Sequence, residues 1–240
     1  MKTLSVQAVF DRMDKWRNFP AYALERRSDI FFSFFLARLL DAEFGIGSES
    51  AVIPEFPLKK DANNQSRKVD FFVISEDRQQ SFLVELKTDR NSLSEPQLNY
   101  LQEASRSRLC TLTADVKRIA QNADTDKRRK YLHLLNHLAE LNLIELDKKL
   151  RLDSFDPPFR IRQYMESTTR VEPIDLRPKV VCLVPEIPCV ASQYPDFEWM
   201  SFEVLANCIK KEGSIGRRFA KSLRLWASHE AGHIDDKPSD

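Results

Sequence analysis

Two short apolar runs, Val69–Ile74 and Phe82–Leu86, flank a polar stretch from Ser75 to Ser81, and this arrangement constrains the fold more than any other segment. Runs this short, bounded by turn-forming residues, read as the strands of a β-hairpin. In a symmetric hairpin turning about Asp77-Arg78, paired residues have numbers that sum to 155. That register sets Asp70 opposite Glu85 and Lys68 opposite Lys87. Opposed residues share a face, with Cβ atoms about 5 Å apart. Glu85 and Lys87, two apart on one strand, share that face as well, whereas Phe82, Val84 and Leu86 point the other way.

Two carboxylates opposed on a sheet repel each other. A divalent cation between them removes the repulsion, and hard oxygen ligands of this kind suit Mg²⁺ or Mn²⁺. A lysine at the edge of such a site can orient or activate a water, or neutralise charge developing on a phosphate. A Glu-x-Lys pair on a solvent-facing strand is also a common surface ion pair. The matched Asp70, set among apolar strand positions, favours the functional reading.

The rest of the chain supplies alternating helices and strands. Leu24, Phe31, Phe32, Phe35, Leu36, Leu39 and Leu40 recur at helical spacing in the first 45 residues, and Gly45 and Gly47 close that segment. Val52-Ile53 and Phe56, interrupted by Pro54 and Pro57, read as a strand at a sheet edge. Helical periodicity returns near 94–107, 113–121 and 126–143, and Pro157, Pro158, Pro173 and Pro178 break 148–178 into strand or loop pieces. Val180–Val184 and Phe197–Phe202 read as strands, and 203–211 and 215–226 as helices. The order fits one α/β domain over 1–228, with a central mixed sheet flanked by helices, a helical insertion over about 105–147 and a polar tail over 229–240.

Composition narrows the function classes. Lys and Arg number 37 against 36 Asp and Glu, which excludes tight binding of a polyanion by bulk charge alone. With five glycines and no G-x-G-x-x-G or G-K-[ST], a nucleotide-cradling loop is excluded too. Cys110, Cys182, Cys189 and Cys208 form no C-x-x-C pair and no signal peptide is evident, so the expected setting is reducing and cytoplasmic. The longest apolar run, Ile30–Leu40, is broken by Ser33 and Arg38 and is too short to span a bilayer.

Asp70, a short hairpin and then Glu85-Leu86-Lys87 resemble the signature of the PD-(D/E)XK nuclease superfamily, over roughly residues 20–104 with 180–184 as a continuation. The residue before the Asp is Val69 rather than the usual proline. The resemblance implies a restriction-endonuclease-like core in which Asp70, Glu85 and the backbone carbonyl near Leu86 hold Mg²⁺ or Mn²⁺, and Lys87 assists the attacking water. It implies hydrolysis of phosphodiester bonds, with DNA the expected substrate. Members often add an acidic residue from the first helix, a role open here to Glu25 or Asp29. Some add a glutamine after the E-x-K strand, which points to Gln97, followed here by Tyr100 at three residues. Ser94-x-x-Gln97 is equally a capping box, a structural use of the same side chain.

Two basic clusters are candidate nucleic-acid contacts: Lys127, Arg128, Arg129 and Lys130 at a helix start, and Arg217 and Arg218 among the C-terminal positive charges. Each also suits an ordinary solvated helix face. His133 and His137 have i, i+4 spacing but no H-E-x-x-H context. The alternative to an enzyme is a catalytically idle nuclease-fold module, or a helical adaptor built on 94–143, that binds nucleic acid or a protein partner. Cleavage of both strands of a duplex would favour a homodimer.

Overall fold

A computed structural model describes residues 5–19, 23–59, 66–89, 92–146, 170, 171 and 174–230. Helix α1 (Val6–Trp16) begins at Ser5, whose hydroxyl accepts from the N–H of Ala8, and α2 (Leu24–Phe44) ends at Gly45 in the left-handed conformation, φ 67°. Strands β1 (Ala51–Lys59), β2 (Ser66–Ile74) and β3 (Ser81–Leu86) follow as an antiparallel meander. Then come α3 (Glu95–Arg106), α4 (Leu109–Asn122) and α5 (Thr125–Glu140), followed by the short pair β4 (Ile144–Glu145) and β5 (Arg170–Val171). Strand β6 (Lys179–Val184), a 3₁₀ turn at Cys189–Gln193, β7 (Phe197–Ser201), α6 (Phe202–Ile209) and α7 (Gly213–Glu230) complete the chain.

The main sheet has five strands in the order β1-β2-β3-β6-β7, antiparallel through β3 and parallel from β3 to β7. The mixed sheet and its flanking helices agree with the sequence reading, as does the edge position of β1 with its two prolines. Most of the segment 148–178 and the tail from 231 lie outside the described residues.

Apolar side chains fill both faces of the sheet, which gives three layers. One core joins the sheet to α3, α4 and α5 through Phe72, Leu83, Leu101, Val116 and Leu135. The other joins it to α1, α2, α6 and α7 through Phe71, Phe82, Phe32, Phe202 and Phe219. Every residue of β3 is buried, as expected for a strand with neighbours on both edges and helices over both faces. Burying a carboxylate and an ammonium on or beside such a strand costs several kcal/mol unless they are partnered, so their presence there needs a reason.

Strands β1 and β2 change hands partway along. Ile53 and Phe56 enter the same core although they are three apart, and so do Val69 and Phe72 on the facing strand. The inward parity therefore inverts between 53 and 56 and between 69 and 72. Glu55, left-handed at φ 52°, sits at the inversion on β1, and the register that pairs Pro54 with Phe71 and Phe56 with Val69 puts it opposite Asp70.

Candidate active site

The hairpin register is the one its sequence predicts: Phe71 pairs with Val84, Phe72 with Leu83, Val73 with Phe82 and Ile74 with Ser81. The turn is stitched by Ser75, whose hydroxyl accepts from the N–H groups of Gln79 and Gln80, with Arg78 left-handed at φ 59°. Beyond Phe71 the β2–β3 ladder stops, where the inward parity of β2 inverts between Val69 and Phe72. The Leu86 N–H then donates to Asp70 Oδ2 at 2.7 Å, so a side-chain oxygen takes the place of a strand carbonyl. This contact seats Asp70 beside Glu85, the next position in the register.

Glu85 is 2% exposed. Its Oε1 receives the Lys87 ammonium at 2.8 Å and the side-chain amide of Gln97 from α3. Its Oε2 is buried and has no hydrogen-bond donor. Burial first, and then the neighbouring Asp70 charge, push the Glu85 carboxyl up to about 8. Asp70 is also raised, chiefly by burial, although the Leu86 N–H opposes the shift. Buried carboxyls that lack a full set of donors hold a proton or accept a cation in its place.

Lys87 is 6% exposed, and its backbone N–H donates to Leu183 O at 2.9 Å, which anchors it to β6. Burial favours its neutral form, yet Glu85, Glu25 and Asp70 outweigh that and raise its pKa. At neutral pH it is therefore an ammonium, equipped to donate hydrogen bonds rather than to take a proton. Its second carboxylate neighbour is Glu25 Oε2 at 3.9 Å, projected from the first turn of α2, and burial raises the Glu25 carboxyl too. Of the two helix acids considered in the sequence, Glu25 approaches Lys87, while Asp29 accepts from the N–H of its neighbour Ile30 at 2.6 Å.

Gln97 does not close a capping box. Ser94 is the N-cap of α3 without a side-chain capping bond, and the Gln97 amide reaches across to Glu85. Tyr100, one turn on, donates its hydroxyl to Lys68 O at 2.9 Å and lies 5.0 Å from the Arg67 guanidinium, which stacks on its ring. One face of α3 is thereby fastened to both strands that carry the carboxylates.

The two basic clusters lie on opposite sides of the sheet, since α5 packs into one core and α7 into the other. In the first, Lys127 lies 3.6 Å from Asp124, Arg128 donates to Ala123 O at 2.9 Å, and Arg129 and Lys130 are exposed. In the second, Arg217 is exposed but the Arg218 side chain is only 9% exposed. Arg218 contacts Asp11 at 2.8 Å, Asp14 at 2.7 Å and Ser222 at 2.6 Å, so its guanidinium is a clamp between α7 and α1 and not a phosphate contact. His133 and His137 are exposed, and His137 faces Glu140 at 3.3 Å.

Glu55 escaped the sequence reading. It lines a cavity of about 160 Å³ together with Glu25, Asp29 and Asp70, where Arg26 is the basic side chain. Only the β1–β2 register, whose pairs Pro54–Phe71 and Phe56–Val69 bracket Glu55 and Asp70, would have drawn attention to it. Among the described residues, no three His, Cys, Asp or Glu side chains converge tightly enough to hold an ion. The fit to a divalent cation rests on the Asp70–Glu85 opposition and on the donorless Oε2. No helix among the described residues is long and apolar enough to cross a membrane. Comparison of the chain with protein-family models, with curated proteins and with solved structures finds no match in any of the three.

Proposed function

We propose that this chain is a divalent-cation-dependent nuclease with a restriction-endonuclease-like core, acting on phosphodiester bonds, with DNA as the expected substrate. The observation that carries the reading is a buried Glu85 that faces Asp70, holds the Lys87 ammonium on one oxygen and has no donor for the other. A structural ion pair would need Lys87 and Glu85 alone; a second acid beside them keeps one carboxyl protonated unless a cation takes the place of the proton.

Asp70 and Glu85 would hold Mg²⁺ or Mn²⁺, and the cation would supply Lewis acidity toward a phosphoryl oxygen and a bound water of lowered pKa. Lys87, fixed by Glu85 and Glu25, orients the attacking water and donates toward negative charge developing on the phosphate. Gln97 keeps Oε1 of Glu85 turned toward Lys87 and leaves Oε2 on offer. Leu86 N–H fixes one oxygen of Asp70, which limits its rotation. The α/β order with a meander followed by a parallel strand is compatible with the restriction-endonuclease-like arrangement.

Cleavage of supercoiled plasmid and of single-stranded DNA with Mg²⁺ tests this reading. Wild-type protein should nick or degrade DNA only with the cation present, and Glu85→Gln should abolish the activity while its melting curve stays cooperative. Equal cleavage by wild type and Glu85→Gln would remove the site from consideration.

A further inference from the structure

Glu55 occupies a conformation that its visible partner does not explain. It is the one left-handed residue within a described strand, since Arg78 and Asn142 lie in turns. For a residue with a side chain that conformation costs about 1–2 kcal/mol. Its ion pair with Lys68, at 2.5 Å, joins side chains that are 61% and 56% exposed. Exposed pairs of this kind return about 0–1 kcal/mol, so the pair does not offset the strain.

Glu55 lines the cavity that Asp70 also lines, and the flanking pairs Pro54–Phe71 and Phe56–Val69 bracket the two residues on facing strands. Its charge bears on both Asp70 and Glu25. Beside Asp70 stands Glu85, 2% exposed with a donorless oxygen and with the Asp70 charge acting on its carboxyl. A weak surface pair is easily opened, and opening it frees the Glu55 carboxylate for the cavity that Glu55 already lines.

We propose that Glu55 is a third carboxylate of the Asp70–Glu85 cation site, held in reserve by Lys68 until a divalent cation draws it in. This rests on the reading of the site as cation-binding. Lys68 then acts as a counter-ion that competes with the cation for Glu55, and its ammonium is released at the mouth of the site when the cation binds.

Calorimetric titration of the full chain with Mn²⁺ alone tests the assignment, using wild type, Asp70→Ala, Glu55→Gln, Lys68→Ala and the Glu55→Gln/Lys68→Ala double variant. Glu55→Gln should weaken Mn²⁺ binding about tenfold, and Lys68→Ala should strengthen it severalfold. In the double variant the Lys68→Ala gain should vanish, because there is no longer a Glu55 to release. If the gain persists there, Lys68 acts through its charge at a distance and the latch is wrong. If Glu55→Gln matches wild type while Asp70→Ala loses Mn²⁺, Glu55 is only a surface partner of Lys68 and this inference alone fails. If wild type binds no Mn²⁺, the cation-site reading itself is overturned. Glu55→Gly, which relieves the left-handed strain and also removes the carboxylate, should weaken Mn²⁺ binding as Glu55→Gln does while preserving the melting temperature.

Discussion

The side-chain amide of Gln97 is hydrogen-bonded to Oε1 of Glu85, joining the first turn of α3 to the central strand of the sheet. Hydrogen bonds to charged groups contribute about 1.5–3 kcal/mol, and groups that orient a metal-binding side chain affect activity about 10- to 100-fold. Gln97→Leu, which keeps the bulk and removes the donor, should lower Mg²⁺-dependent cleavage by about that factor. Single-turnover cleavage, with a melting curve as control, reads the effect.

The metal-free protein should lose stability as pH rises. Glu85 is raised from 4.5 to about 8, so the folded chain binds this proton more tightly than the unfolded chain does. Its contribution is fully present below the unfolded value and disappears as pH climbs through about 8. Asp70 and Glu25 are displaced in the same direction, so they add to the slope at lower pH. Urea midpoints in the presence of chelator should be higher near about pH 6 than near about pH 9, and Glu85→Gln should flatten that difference.

Arg218 predicts a stability effect where its neighbour predicts none. Arg218→Ala would leave Asp14, 14% exposed, without its charge partner, while Trp226 still donates to the same carboxylate at 2.8 Å. Breaking a largely buried pair costs about 3 kcal/mol, and the melting temperature should fall accordingly. Arg217→Ala, at an exposed position, should leave melting unchanged.

The hairpin turn offers a stabilising change. Arg78 is left-handed at φ 59° between two paired strands. Arg78→Gly removes that strain but adds freedom to the unfolded chain, and the net gain should be about 0.5–1 kcal/mol. Denaturant unfolding measures it, and a loss of stability would mean that the Arg78 side chain makes a contribution larger than the strain.

The legible parts of this chain were those in which local pattern decides the outcome. The hairpin register follows from two apolar runs of similar length around a polar turn, and that pattern alone sets Asp70 beside Glu85. Edge position for β1 followed from Pro54 and Pro57, which cannot donate to a ladder. Less legible were features set by residues distant in sequence. Arg218 reads as a surface cation because Asp11 and Asp14, 207 and 204 positions away, are invisible to local inspection. Gln97 satisfied a local capping pattern and a distant carboxylate equally well on paper, and a buried charge proved the stronger claimant. Glu55 was hidden by the assumption of strict alternation, which the paired inversions in β1 and β2 break.

The location of Glu85 on the middle strand ties chemistry to cooperativity. β3 is hydrogen-bonded on both edges and covered on both faces, so its amides should be among the last to exchange with solvent. Fraying of α1 or of the β4–β5 pair would leave the carboxylates where they are. A molecule that has lost the geometry of Asp70, Glu85 and Lys87 has therefore lost its sheet, and inactivation by heat should track global unfolding instead of preceding it.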